Sequence, residues 1–271
     1  MNHSERSAQP ARHRAIFLSD IHLGTRGCQA DLLLDFLRHN ESEHLYLVGD
    51  IVDGWRLKRW WYWPQSHNDV VQKIMRKARK GTNVVYIPGN HDEAARQYCQ
   101  LTFGDVRVQD EAIHETPDGR RLLVIHGDQF DGIVRYARWL AILGDWAYAA
   151  ALRLNTLFNW GRRKLGLPYW SLSAFLKHRV KNAVQFIADY EKAVATEARH
   201  RGVDGVVCGH IHHAEMRTID GILYCNDGDW VESCTALVED FDGRLRIVHW
   251  AEEVARRSSR LPFAPVQLAA E

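Results

Sequence analysis

Between Arg14 and Asp110 the chain alternates two kinds of segment: short β-rich runs (RAIFLS, HLYLVG, NVVYIP) and helix-patterned ones (DLLLDFLRHN, HNDVVQKIMRKARK). That alternation is the βαβ signature of a mostly parallel sheet covered by helices. Further strands follow in RLLVIHG, VDGVVCG, ILYCN, TALVEDF and RLRIVHW, where the short turns IDG and FDG predict a largely antiparallel second half. A layered α/β sandwich is the economical reading.

At 271 residues and 46% hydrophobic content, the chain can bury a sizeable core as one large domain or two small ones. A formal charge of +1 argues against a general nucleic-acid binder, whose footprint would be strongly basic. The five cysteines are scattered and form no CxxC pair, which fits a reducing compartment. MNHSERSAQPARHR lacks an apolar core and reads as a loose tail rather than a signal peptide. No apolar run is long enough for a spanning helix. The expected organisation is a flexible tail at 1–13, a main domain at 14–253 and a C-terminal tail at 254–271.

Within that domain the strand pattern stops between His126 and Val203. Trp139, Ile142, Leu143, Trp146, Ala150, Leu154, Leu157 and Phe158 recur at helical spacing, as do Leu172, Phe175, Leu176, Val180, Val184 and Ile187 after a break at Gly166, Leu167 and Pro168. This predicts a helical hairpin inserted at 130–202. From Ile133 to Asn182 it carries nine Lys or Arg residues and a single acid, Asp145. Such stripes serve as core, as a homodimer interface or as a lipid-facing lid.

Five short stretches each follow a predicted strand with metal-binding residue types: SDIH, GDIVD, GNHDE, IHGD and CGHIHH. Ligands in open α/β sheets gather beyond the carboxyl ends of the strands, so these residues have a route to one place. In extended backbone, residues two apart point the same way, which would align Asp20 with His22 and His210 with His212. Carboxylate, amide and imidazole together suit manganese, iron or zinc more than calcium or magnesium. Seven candidates are too many for one ion. Two divalent ions sharing a carboxylate is the natural count, and such pairs sit roughly 3.5–4 Å apart to clamp an in-line phosphoryl displacement.

The order DxH, GDxxD, GNHD, His-Gly and GHxH resembles the calcineurin-like metallophosphoesterase superfamily over Arg14 to Trp250. The resemblance implies a four-layer α/β/β/α sandwich of two mixed sheets. It assigns Asp20, His22, Asp50 and His212 to one metal and Asp50, Asn90, His126 and His210 to the other. It further implies that His91 contacts the phosphate and assists the leaving group, oriented by Asp92. Use of the fold as a non-catalytic scaffold would be marked by missing ligands, and none is missing.

The insert is similar to the lid of UDP-2,3-diacylglucosamine diphosphatases, peripheral enzymes of lipid A synthesis that release UMP and an acylated sugar 1-phosphate. Trp55, directly after GDIVDG, also sits where that family tends to place a Trp. The run LKRWWYWPQ holds four consecutive large rings that no helix or strand can hide on one face. Trp60 and Trp61 could therefore wall an acyl groove or anchor at a lipid surface, while base stacking is the alternative. Arg162 and Arg163 could contact a phosphate or simply be solvated. The expected substrate is thus a lipid-linked nucleotide, met at the inner face of the cytoplasmic membrane, with no nucleic-acid partner. The chain departs from the lipid A enzymes in having His91 where they carry Arg and in the stretch NDGDWVES, so another lipid-linked or nucleotide phosphoester is the alternative.

Overall fold

The computed structural model describes residues 9–130 and 187–260. The expected alternation runs β1 (Ala11–Leu18), α1 (Ala30–His39), β2 (Asn40–Val48), α2 (Gly54–Arg59), α3 (Gln65–Arg79) and β3 (Asn83–Ile87). β1, β2 and β3 pair in parallel, in that order. Two short strands, β4 (Thr102–Phe103) and β5 (Val106–Val108), extend this sheet on one side. On the other side the late strands β11 (Thr235–Glu239) and β12 (Leu245–His249) return antiparallel, giving the order β12-β11-β1-β2-β3-β5-β4.

A second sheet joins β6 (Ala112–Glu115), β7 (Arg121–Val124), β8 (Gly205–Cys208), β9 (Glu215–Ile219) and β10 (Ile222–Asn226) in the order β6-β7-β8-β10-β9. The hairpin read from IDG is there, between β9 and β10. The largely antiparallel reading is corrected at the sheet's centre, where β8 pairs in parallel with both β7 and β10. A long connection separates β7 from β8, so β8 can run in the same direction; a tight hairpin would have forced the reverse.

Period-two alternation divides the strand residues among three cores. Ile16, Leu18, Leu45 and Leu47 face α1 and α3, together with Trp230 and Trp250. Their neighbours Phe17, Tyr46 and Val48 turn the other way and meet Leu122, Val124 and Val207 between the sheets. Leu123, Ile125, Val206 and Cys208 lie beneath Tyr190, Val194, Ala195 and Ala198 of α4 (187–200). The layers therefore run α/β/β/α.

Three boundaries differ from the sequence reading. β1 begins at Ala11, inside the expected tail, because Ala11 to His13 pair with Asn40 to Ser42 and the buried His13 ring sits 3.0 Å from both Asn40 and Asp240. α5 (Trp250–Arg260) carries the chain past 254, anchored by the buried Trp250. α4, although within the stretch assigned to the insert, is the fourth layer of the sandwich, since the outer face of the second sheet needs an apolar cover. The rest of the predicted hairpin lies outside the described residues.

Candidate active site

β1, β2 and β3 run parallel, as do β7 and β8, so each set of carboxyl ends is shared. Asp20 and His22 follow β1, Asp50 follows β2, Asn90 follows β3, His126 follows β7, and His210 and His212 follow β8. All but His212 are buried. The pairs do not converge by extended geometry, however. Asp20 (φ +49°), His22 (+53°), Asp50 (+53°), His210 (+70°) and His212 (+53°) all occupy the left-handed region. The strands have ended, and these side chains are presented from left-handed turns in the loops that follow. Asp and His are among the residues that tolerate this conformation best, though each such position still costs about 1–2 kcal/mol.

Backbone hydrogen bonds tie the first two loops together: Asp20 N–H donates to Gly49 O at 3.0 Å and His22 N–H to Asp50 O at 2.9 Å. Gly89 must lack a side chain, since a Cβ there would overlap Asp50 Oδ1 and crowd His126 Nε2. The result is three overlapping clusters, Asp20–His22–His212, His22–Asp50–His91 and Asp50–His126–His210, with ligand atoms in each within 4.8 Å of one another. His212 Nε2 lies 3.0 Å from Asp20 Oδ1, His22 Nε2 lies 3.8 Å from both Asp20 and Asp50, and His126 Nε2 lies 3.5 Å from Asp50 Oδ1. Asp50 is common to two clusters, as a bridging carboxylate would be.

This donor set fits divalent metal. Asn90 Oδ1 and His126 Nε2 are buried and make no hydrogen bond among the described residues, the state expected of atoms whose partner is an ion. His126 Nδ1 is already committed to Val48 O at 2.8 Å, which fixes its ring and leaves Nε2 for the cluster. Electrostatics agree. Burial opposes ionisation of Asp20 and Asp50, yet His212 holds the first carboxyl, and His126 the second, below the ordinary range. Burial likewise opposes protonation of His126, but Asp50 pushes it up to about 10; Asp20 raises His212 in the same way.

A calcineurin-like phosphoesterase family model matches residues 13–214. The chain belongs to that family. It is a metal-dependent phosphoester hydrolase, and the clusters described here are where such a phosphoesterase can hold its divalent metals. Among solved structures it is similar to the phosphoesterase YfcE of E. coli, at 15% identity and a TM-score of 0.43, over 87% of this chain and 98% of that one. It is also similar to Vps29 of Entamoeba histolytica in complex with zinc, at 11% identity and a TM-score of 0.41, over 87% and 98%. A novel archaeal phosphodiesterase matches at 12% identity and a TM-score of 0.37, over 86% and 98%. No curated protein matches the chain.

In this phosphoesterase the partner expected for His91 is corrected. Asp92 accepts backbone N–H groups from Gly89 (2.5 Å), Ile51 (2.8 Å), Asp50 and Val52 (both 3.3 Å). Four convergent amides at the turn outcompete one imidazole, and Asp92 thereby shapes the loop that presents Asp50. Burial nevertheless raises its carboxyl above the usual range. The carboxylate beside His91 is Asp53, with Oδ2 3.1 Å from His91 Nδ1 and 3.3 Å from His22 Nδ1. Its other oxygen caps α2 through Arg56 N–H at 2.8 Å. Burial works against ionisation of Asp53, but hydrogen bonds from His22 and His91 keep its carboxyl low. The second Asp of GDIVD was the available signal for this role, and capping accounts for only one of its oxygens.

The aromatic residues divide. Trp55 leans on the His91 ring with centroids 4.4 Å apart. Trp60, 80% exposed, lines a cleft of about 530 Å³ with His22, Asp53, His91, His212, Arg26 and Arg56. Trp61 is 78% exposed and stacks on Trp63, outside the cleft lining. Trp63 itself packs against the core. Arg162 and Arg163 lie outside the described residues.

Proposed function

We propose that this phosphoesterase hydrolyses the pyrophosphate of UDP-2,3-diacylglucosamine to UMP and 2,3-diacylglucosamine 1-phosphate. It would do so with two manganese ions, lying against the inner face of the cytoplasmic membrane. The observation that carries the reading is the cleft: one wall is the metal-ligand cluster, and the other combines guanidinium groups with an uncovered indole. Arg26 and Arg56 can neutralise the phosphate that is not attacked, and Trp60 offers apolar surface to an acyl chain or to uracil. Trp60 and Trp61, beside Arg56, Lys58 and Arg59, have the composition of an interfacial anchor. No described helix is long and apolar enough to cross a membrane, so contact with lipid would be peripheral.

Asp20, His22, Asp50 and His212 would hold one ion, and Asp50, Asn90, His126 and His210 the other. When bound, the ions supply charge neutralisation at the phosphoryl oxygens and activation of the attacking water. Water's oxygen joins phosphorus as the bridging P–O bond breaks in line. His91 is placed to give its Nε2 proton to the departing oxygen, because Asp53 holds the ring by Nδ1. Trp55 restricts the ring from its other side.

The test is UMP release from UDP-2,3-diacylglucosamine by manganese-loaded protein in detergent, compared with a soluble chromogenic phosphodiester. Fast release confined to the lipid nucleotide supports the reading. Hydrolysis of the soluble ester alone keeps the phosphoesterase chemistry and assigns the protein to another lipid-linked or nucleotide substrate.

A further inference from the structure

The stretch NDGDWVES, Asn226 to Ser233, has no part in the chemistry above, yet Asn226, Asp227, Asp229 and Trp230 are all buried within it. It leaves β10 and folds under two of the ligand-bearing loops. Asn226 Nδ2 donates to Gly209 O at 2.7 Å, just before His210, while its Oδ1 accepts Gly228 N–H at 3.0 Å. Asp227 N–H donates to Cys208 O at 3.1 Å. Its carboxylate accepts the Ser19 hydroxyl at 2.6 Å, and the same hydroxyl lies 3.0 Å from Gly228 O. Trp230 N–H donates to Asp20 O at 3.1 Å.

The bracket thus touches the Ser19 side chain and the Asp20 carbonyl in one loop and the Gly209 carbonyl, immediately ahead of His210, in the other. Asp20 and His210 also meet directly, since His210 N–H donates to Asp20 Oδ2 at 2.8 Å. Both are left-handed. A strained backbone persists only where its surroundings over-determine it. The bracket is itself rigid: Asp229 Oδ1 accepts Val231 N–H at 2.7 Å and Glu232 N–H at 2.5 Å, and Ser233 Oγ closes on Asp229 Oδ2 at 2.6 Å. Gly228, at φ +85°, could not carry a Cβ without overlapping Thr235 Oγ1.

We infer that Asn226 and Asp227 are positioning residues of the metal centre, holding the Gly209–His210 and Ser19–Asp20 loops in register so that Asp20 and His210 reach their ligating geometry. Neither need touch metal or substrate. The inference rests on the metal assignment of Asp20 and His210, so it is tested on metal binding itself and not on turnover of any one phosphoester.

The test titrates manganese into metal-stripped full-length protein by calorimetry, comparing wild type with Asn226→Asp, Asp227→Ala and the milder Ser19→Ala, and follows each variant's thermal melt. Asn226→Asp removes the donor to Gly209 O and sets a carboxylate against that carbonyl; Ser19→Ala removes only the hydroxyl shared by Asp227 and Gly228. The expected result is a loss of manganese affinity of about 10-fold or more in folded Asn226→Asp and Asp227→Ala, the size typical of supporting groups around metal ligands. Ser19→Ala should show a smaller loss in the same direction, and adding it to Asp227→Ala should cost less than it does in the wild-type background, since only its bond to Gly228 O is then left to lose. Lowered melting temperatures with unchanged manganese affinity would reduce the bracket to a stability element and overturn the inference. Should the first two variants fail to fold, Ser19→Ala decides alone, with unchanged affinity counting against. Failure of wild type to bind manganese would instead point to a fault in the metal assignment.

Discussion

Asp53→Asn isolates one carboxylate that serves three partners. In the native protein Asp53 lies 3.1 Å from His91 Nδ1, 3.3 Å from His22 Nδ1 and 2.8 Å from Arg56 N–H. Asparagine keeps the shape and caps a helix about as well as aspartate, so stability should change by less than about 1 kcal/mol. Alanine loses the cap as well and should cost about 1 kcal/mol more. What the amide cannot do is cap α2 through its one oxygen and also accept from His91 Nδ1, so the ring loses the group that orients it. General acid assistance is worth roughly 10²–10⁴-fold, or about 3–5 kcal/mol of barrier, and that range sets the expected loss in kcat. The assay compares two phosphodiesters at saturating manganese, one with an activated aryl leaving group and one with an alkyl leaving group. The alkyl ester needs a proton from His91 and should lose the full factor; the aryl ester departs unaided and should lose far less. Equal losses would mean that Asp53 acts through His22 and the metal rather than through His91. Undiminished turnover of the alkyl ester would refute the assignment of Asp53 altogether.

Changing Trp60 and Trp61 together to Ala should impair turnover of a lipid-linked nucleotide far more than that of a small soluble diester, measured as kcat/KM on each, and equal losses would remove the acyl-contact reading. Metal uptake should expel protons, because Asp50 pushes His126 up to about 10 in the metal-free protein and Asp20 shifts His212 in the same direction. About one proton per fully loaded site, from His126, is expected at pH 7, with apparent affinity falling as pH falls. Calorimetry in buffers of different ionisation enthalpy counts them, and a buffer-independent heat would contradict the electrostatics.

Legibility in the sequence followed periodicity. The β1-α1-β2-α3-β3 alternation carried clear periods, and all of it is present. What escaped was set by tertiary context. β4 and β5 span only two and three residues, too short to show a pattern, and α4 was hidden because a core-covering helix and a lid helix share the same apolar spacing. The residues that cluster at the site were legible because carboxylates and imidazoles just past strand ends are chemically distinctive. Their supporting groups were not: Asp53, Asp92, Asn226 and Asp227 act through backbone amides and ring nitrogens whose positions exist only once the loops have folded.

The backbone at the centre qualifies even the correct part of that reading. Asp20 and His22, like His210 and His212, were expected to align because extended residues two apart share a face, and they do reach a common site, but from left-handed backbone. Asp50 makes a fifth such residue. At about 1–2 kcal/mol each, the sum is comparable with the net stability of a whole domain, so these loops cannot be self-supporting. The support is visible as cross-loop bonding: Leu23 N–H to Ile51 O and Asp53 N–H to Leu23 O join the first two motifs, Asp92 gathers the amides of the second, and the Asn226–Ser233 bracket grips the first and last. The DxH and GHxH motifs are therefore signatures of a strained turn as much as of a ligand set, and their chemistry depends on residues far along the chain that restrain it.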